Sequence, residues 1–424
     1  MTTASQGPDA AALAGTDRVS GTLYTDPALH EQEMERIFHR TWVWVAHESE
    51  IPRPGTFRTA WVGRRPVIVT RDRKGGINVL LNRCRHRGAS VCDAPRGEAN
   101  GFTCPYHAWS YTLDGTLRGI PFPDGYEGVA QKQDMPLERL KVGTYAGMIF
   151  ASFNHGIEPL EDFLGGARLW IDRFMKQGAG FPLKVRGEHK FRFNGNWKIQ
   201  LENTTDWYHF PIVHRSWMSS VDAETASMLS IMTDETAVTH ALGNGHSVSI
   251  SVAGHADLDV DDGTEKLQDR FGHVVDELSK TMDPDRVRRI VRSMHGAGFN
   301  LNLFPNVAMS MSFFRVLRPL AVDRTEIRHV ALGLDGGPEI VNRERLRIHE
   351  HFQGPFGFGS PDDAEAWNRV QLGVTGDAPM DILVNRGLGR EKPNNLGEPT
   401  SHATDETGMR EAYAMWKRMM TDGA

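Results

Sequence analysis

Cysteine is scarce. The chain has 3 in 424 residues, too few for a disulfide-framed scaffold, so a reducing, cytoplasmic setting is the expectation. Long apolar runs are missing as well, and none approaches the roughly 20 residues of a membrane span. Neither sign of charge dominates. With 48 Lys and Arg against 54 Asp and Glu, the net charge of −6 gives no reason to expect a nucleic acid or an anionic membrane as partner. The opening MTTASQGPDAAALAGTD lacks the basic-then-apolar layout of a secretory signal, and residues 1–20 read as a flexible leader. No internal repeat or long low-complexity segment is visible.

What is present falls into two textures. After the leader, Asp26 and Pro27 give an N-cap acid and a proline at the first helical position, and Leu29, Met34, Ile37 and Phe38 follow at helical spacing; the helix should end near Arg40. From residue 42 to 155, short β-rich runs (WVWVAHE, PGTFRTAWV, RPVIVTRD, INVLLNRC, YAGMIFASF) are punctuated by Pro-Gly and Gly-Gly turns. This is a small antiparallel β domain. From 156 to 424 helical stretches (160–175, 202–214, 268–294, 362–372, 404–420) alternate with long strand runs such as GEHKFRFNGNWKI and FNLNLFPNVAMSMSFFRVLRP. An α+β domain on an antiparallel sheet fits, because the strands arrive as meanders rather than as βαβ units.

All three cysteines lie between 84 and 104. Two belong to mixed pairs, Cys84-Arg85-His86 and Cys104-Pro105-Tyr106-His107. Two thiols and two imidazoles on adjacent loops suit either tetrahedral zinc or a [2Fe–2S] cluster with Cys on one iron and His on the other. Zinc sites commonly use C-x2–4-C and H-x3–5-H pairs, whereas one thiol and one imidazole per loop suits the Rieske arrangement. Arg87-Gly88 can turn the chain behind the first pair, and Gly101, Tyr106 and Trp109 flank the second. Cys92 has no partner of its own and reads as a buried small residue.

A second constellation is Glu202-Asn203-Thr204-Thr205-Asp206-Trp207-Tyr208-His209-Phe210-Pro211-Ile212-Val213-His214. On a regular helix the rings of His209 and His214 would diverge by about 140°. They converge only if the helix is broken or bulged, and Pro211 between them offers a cause. Two His and one carboxylate make the facial triad of O2-activating non-haem Fe(II) enzymes. Asp206, three residues before His209, is better placed to accept from its ring than to bind metal.

Together, N-R-C-R-H-R-G, C-P-Y-H-A-W, Asn196-Trp197-Lys198 and E-N-x-x-D-x-Y-H-x4-H resemble the α subunits of Rieske non-haem iron ring-hydroxylating oxygenases, over about residues 25–420. The resemblance implies an N-terminal all-β Rieske [2Fe–2S] domain (42–155), behind a leader and helix (1–41), and a helix-grip, START-like catalytic domain (156–424). It implies one [2Fe–2S] cluster on Cys84, His86, Cys104 and His107. It also implies one mononuclear Fe(II) on His209, His214 and a late Asp, by position Asp363, with Asp362 the lesser candidate because Ala364 replaces the usual Gly. One of these two acids is expected to cap the helix that follows. In the family the two metal sites of one chain are too far apart, and a head-to-tail homotrimer brings one subunit's cluster beside the next subunit's iron. Asp206 matches the acid that bridges them to Rieske His107 of the neighbour, and Asn203 a polar neighbour of the iron.

The implied activity is terminal oxygenation: O2 and NADH-derived electrons, delivered by a reductase directly or through a ferredoxin, convert an aromatic ring to a cis-dihydrodiol, with or without a small β subunit. The layout resembles oxygenases of aromatic carboxylates of the benzoate, terephthalate or salicylate type. Arg315 lies about where acid-specific relatives carry a substrate-binding Arg; Arg386 and Arg390 are candidates for a second. A Rieske monooxygenase, for hydroxylation or O-demethylation, is the alternative within the class. A bare Rieske electron carrier and a zinc-stabilised interaction module are the alternatives outside it. The Asp257–Gly263 stretch resembles a calcium loop with its Gly one place late, and reads as a solvated acidic loop. The basic run Arg286–Arg289 reads as an exposed helix face.

Overall fold

Asp26 opens the first long helix as expected: its Oδ1 accepts from the backbone N–H of Ala28 at 2.7 Å and of Leu29 at 3.0 Å. Helix Pro27–Glu33 follows, and Met34–Phe38 widens into a π-helical turn. The computed structural model describes residues 10–128, 131–221, 234–251, 256–259, 271–376 and 380–421. The chain divides into two compact units, Met34–Phe163 and a larger one formed by Met1–Glu33 with Leu164–Ala424.

The leader needs correction. Its residues 1–9 lie outside the described residues, but Ala10–Leu13 is helical and Arg18–Ser20 pairs antiparallel with Asp381–Leu383. Val19 is fully buried there, so one apolar side chain in a polar stretch anchors it.

Among the described residues, the smaller unit is built of three antiparallel sheets. One pairs Lys141–Tyr145, Met148–Ser152 and Val43–His47 in that order; a second runs Ile77–Leu81, Arg65–Arg71, Thr56–Val62, Arg96–Glu98; the third runs Phe102–Thr103, Ser110–Tyr111, Leu117–Gly119. The β-branched and aromatic residues of these runs supply the buried faces. The turn at 72–76 is fixed by Asp72, whose Oδ1 accepts from Lys74 N and Gly76 N, while Gly75 takes φ +87°.

The larger unit is organised on a nine-stranded antiparallel sheet among the described residues. Its order is Leu183–Phe193, Arg324–Leu334, Phe313–Ala321, Val307–Met311, Ala297–Leu303, His246–Ile250, Val238–Gly243, Pro399–His402, Lys392–Pro393. The strand expected to run through Trp197-Lys198-Ile199 stops at Phe193. Asn196 then takes extended backbone, accepts from Lys198 N, and starts helix Trp197–Thr205. That helix is tied down by a buried ion pair, Lys198 Nζ to Glu33 Oε1 at 2.6 Å. Trp197 and Trp416 donate their indole N–H groups to the same Glu33 carboxylate. Satisfying a buried charge this fully is what makes it tolerable there.

The helix expected at 268–294 is two, Gly272–Leu278 and Pro284–Arg292, and its residues before 271 lie outside the described ones. Arg286, Arg288 and Arg289 are exposed on the second. The two late helices run Gly359–Val374 and Thr407–Thr421.

Candidate metal centres and substrate pocket

In the smaller unit, the two Cys/His loops are built alike. Cys84 O accepts from Gly88 N and Cys84 N donates to Ala89 O; Cys104 O accepts from Ala108 N and Cys104 N donates to Trp109 O. Each loop therefore closes over the same span and turns through the same left-handed step, Gly88 at φ +75° and Ala108 at φ +55°. A Cβ there costs roughly 1 kcal/mol, a strain held in place by the loop around it. Cys84 and Cys104 are buried thiols, packed in one cluster with Trp109, Tyr111, Leu117 and Leu137. His86 and His107 are half-buried, and their Nδ1 atoms face each other at 3.1 Å. Trp109 stacks on His86 at 5.0 Å, and Tyr111 OH lies 3.3 Å from Cys84 Sγ. Two inward sulfurs and two converging, outward imidazoles fit a [2Fe–2S] group bound as Cys2His2. Cys92, expected to be buried, is only half so; its thiol reaches toward Ala94 O.

In the larger unit, the helix expected over 202–214 is broken, and the break is not where Pro211 stands. Helix Trp197–Thr205 ends at Asp206, whose backbone is extended, and a new short helix, Phe210–Val213, starts after His209. Pro211 sits in the first turn of this second helix, where its missing N–H costs nothing. Asp206 makes the corner: Oδ1 accepts from Tyr208 N at 2.6 Å and His209 N at 3.3 Å. Its Oδ2 faces His209 Nδ1 at 3.4 Å.

The corner turns His209 and His214 toward Asp363 of helix Gly359–Val374. Asp363 Oδ1 lies 3.6 Å from His209 Nε2 and 3.1 Å from His214 Nε2, and the three side chains bring one ligand atom each within 4.8 Å of one another. Asn203 Nδ2 donates to Asp363 Oδ1 at 3.1 Å and stands 3.2 Å from His209 Nε2. His214 and Asp363 are buried, with 1% and 2% exposure. Burial works against the Asp363 charge, but His214, His209 and Arg315 hold the carboxyl below its usual range. Burial likewise opposes charging His209, and the Asp206 and Asp363 carboxylates outweigh it. Two neutral-capable imidazoles and one ionised carboxylate, clustered on one side, fit a mononuclear iron with open positions. Neither Asp362 nor Asp363 caps the helix: it starts at Gly359, its flanking Phe358 has no side-chain cap, and both acids lie inside the first turns. Asp362 is half-exposed toward Ser216.

The three donors line a cavity of about 870 Å³, walled on its apolar side by Phe210, Trp217, Met311 and Phe352. Arg315 reaches this cavity from strand Phe313–Ala321, 5% exposed. Its Nε donates to His329 Nε2 at 3.0 Å and its Nη2 to Gln353 Oε1 at 2.9 Å. No carboxylate pairs with it among the described residues. Burial pushes its guanidinium down from the ordinary value, and the Asp363 charge partly restores it.

Arg386 and Arg390 are not in the cavity. Arg386 donates to Thr404 O and lies over the Tyr208 ring, and Arg390 is an exposed partner of Asp405. Of the acidic stretch 257–263, the described part ends at Asp259, and Asp257 pairs with Lys176 at 2.8 Å. Two groups escaped the sequence reading. One is the set His189, His329, His349 and Gln353 behind Arg315. The other is the tyrosine pair around Glu202: this half-buried residue sets its carboxyl between the Tyr24 and Tyr413 hydroxyls, where burial pushes it up to about 7.

Comparison with known proteins agrees with both halves. Residues 41–139 match the family described as Rieske [2Fe-2S] domain, and 182–422 match the ring hydroxylating alpha subunit (catalytic domain). The chain is 32% identical to the anthranilate 1,2-dioxygenase large subunit of Acinetobacter baylyi, over 96% of this chain and 90% of that protein. It is 33% identical to the large oxygenase component of salicylate 5-hydroxylase from a Ralstonia species, covering 96% and 95%. A crystal structure of a naphthalene 1,2-dioxygenase mutant with bound phenanthrene superposes with a TM-score of 0.81, at 27% identity, over 96% and 94% of the two chains. No helix among the described residues is long and apolar enough to cross a membrane. With a Rieske fold, a catalytic domain and relatives matched along nearly their whole length, this chain belongs to the ring-hydroxylating oxygenase α subunits, enzymes that carry a Rieske [2Fe–2S] cluster and a mononuclear iron.

Proposed function

We propose that this protein is the terminal oxygenase of a multicomponent system that dihydroxylates an aromatic carboxylate to a cis-dihydrodiol. One observation carries the substrate class: Arg315 is a buried cation in the wall of the iron cavity with no carboxylate partner among the described residues. A buried charge left unpaired costs several kcal/mol, and an incoming carboxylate removes that cost. Relatives named for anthranilate, 2-halobenzoate, toluate and terephthalate dioxygenation support the same class.

In this reading Cys84, His86, Cys104 and His107 hold the cluster, and His209, His214 and Asp363 hold the iron. The bound metals supply the electron relay and the activation of O2. The chain's own groups do the rest. Arg315 takes the carboxylate and so sets which ring edge is presented to the iron ligands. Phe210, Trp217 and Phe352 pack on the ring face and keep water away. Asp206 orients His209 and, in a head-to-tail homotrimer, reaches His107 of a neighbouring subunit. Electrons come from an NADH-dependent reductase, directly or through a ferredoxin, and a small β subunit completes the assembly if one is co-produced.

The test is turnover of benzoate, anthranilate and salicylate against the neutral benzamide, with a generic reductase, followed by product analysis. Arg315→Gln should raise KM for the acids by roughly 30-fold, about 2 kcal/mol for a charge-assisted contact, and far less for benzamide. Equal effects on both would remove Arg315 from the substrate site. Monohydroxylation is the second reading, favoured by the relative named salicylate 5-hydroxylase. A phenol rather than a dihydrodiol product would select it.

A further inference from the structure

Arg315, His329 and His189 form one row across three strands. Arg315 is directly opposite His329, and His329 directly opposite His189. The hydrogen-bond direction between Arg315 and His329 is forced. A guanidinium Nε can only donate, so His329 Nε2 must accept, and the His329 proton sits on Nδ1. That Nδ1 lies 3.3 Å from Gln353 O, a carbonyl acceptor, and 3.1 Å from His189 Nε2, which accepts when His189 carries its proton on Nδ1. The other bond from the same guanidinium edge goes to Gln353 Oε1, which Ser360 Oγ holds from a second side at 3.0 Å. His329 is fully buried and does not itself line the cavity.

We propose that His329 is the positioning residue of the carboxylate site: as a neutral Nδ1–H imidazole it occupies the Nε edge of Arg315, with Gln353 on Nη2, and leaves Nη1 for the substrate. Nη1 makes no hydrogen bond with the described residues, consistent with this division. A protonated His329 would set N–H against N–H and release the guanidinium. Burial, then the facing Arg315, His349 and His189, hold this imidazole well below its ordinary value, so the arrangement persists at neutral pH. The proposal rests on the reading of Arg315 as carboxylate anchor.

The experiment measures benzoate and benzamide affinity on iron-loaded holoenzyme by calorimetry, and KM with kcat for each. His329→Leu should lower the benzoate-over-benzamide preference at least tenfold, and His329→Gln, whose amide oxygen still accepts, should keep it within about threefold of wild type. Loss of preference in both variants, or in neither, overturns the proposal. Arg315→Gln run alongside separates the two ideas: if it abolishes the preference while His329→Leu does not, only the positioning role falls. If Arg315→Gln leaves the preference intact, the anchor itself falls. Should the leucine variant fail to fold, wild type decides. The groups facing His329 are Arg315 and His189 from the sheet and His349 from helix Glu339–Gln353, with Glu350 beyond His189 and Asp363 beyond Arg315. Benzoate affinity should stay flat between pH 8 and 6; a severalfold gain on acidification would mean an imidazolium binds the carboxylate, and would refute the neutral acceptor.

Discussion

Asn203 and Asp363, 160 positions apart in the chain, are joined by a 3.1 Å bond from Nδ2 to Oδ1. The amide also stands 3.2 Å from His209 Nε2, so one side chain touches two of the three donor atoms proposed for the iron. Its work is to hold the Asp363 carboxylate in the orientation that lets Oδ1 face both imidazoles. Asn203→Ala should therefore weaken iron retention by 10–100-fold, the usual cost of losing a group that orients a ligand. Chelator competition, read with a ferrous-iron dye, checks this while the visible spectrum of the cluster reports that the other metal is undisturbed.

The two donor sets are on separate compact units, which makes their metals separable. Wild type should carry about three irons per chain, two of them in the cluster. His214→Ala should leave about two, with the red-brown colour intact and O2 consumption abolished. Cys104→Ser should do the reverse, losing the colour while keeping an iron bound by His209, His214 and Asp363. Iron analysis of anaerobically purified variants gives the counts; loss of both metals in either variant would contradict independent sites.

Asp206 is spent on two backbone donors at Oδ1, and only Oδ2 is left for His209. Asp206→Asn keeps the oxygen that builds the corner and removes the charge, so both metals should stay bound. In the proposed head-to-tail homotrimer, electron delivery to the iron should slow at least tenfold, since the amide nitrogen that replaces Oδ2 can no longer accept from imidazole N–H groups. Single-turnover kinetics of the prereduced protein measures that step directly, and wild-type rates with full iron content would leave Asp206 only a structural part.

What could be seen in the sequence was local. The thiol–imidazole loops place four candidate donors between positions 84 and 107, and their mixed pairing suits a [2Fe–2S] group better than zinc. The H-x4-H spacing of His209 and His214 is weak by itself and gains its meaning from the upstream constellation; the cause of their convergence is the Asx corner at Asp206, which is harder to see in a sequence than Pro211. His329 was hidden by register. Counting back from the turn pair Ala321 and Arg324, Arg315 would face Val330; a bulge between Pro319 and Ala321 shifts the ladder by one and brings His329 opposite instead. A one-residue slip turns every side chain to the other face of a sheet, so no pattern of polarity short of the fold could reveal it. The strand at Val19 was hidden similarly, since its partner Asp381–Leu383 is near the other end of the chain.

Glu202 makes a prediction about stability with a definite sign. It is half-buried one residue before Asn203, its Oε1 taken by the Tyr24 and Tyr413 hydroxyls, and the burial of its carboxyl pushes it up from 4.5 to about 7. Between those two values the folded chain holds a proton that the unfolded chain has released. The unfolding free energy then falls as pH rises through that window and is level above it. The shift corresponds to about 3 kcal/mol of folded-state destabilisation at pH 8 relative to pH 4.5. Glu202→Gln keeps the acceptor oxygen and removes the titration, so it should unfold at a higher temperature than wild type at pH 8 and at nearly the same temperature at pH 5. Thermal melts across that range, followed by far-UV circular dichroism, measure the difference; a gap between the two proteins that is constant with pH would show that Glu202 does not titrate there.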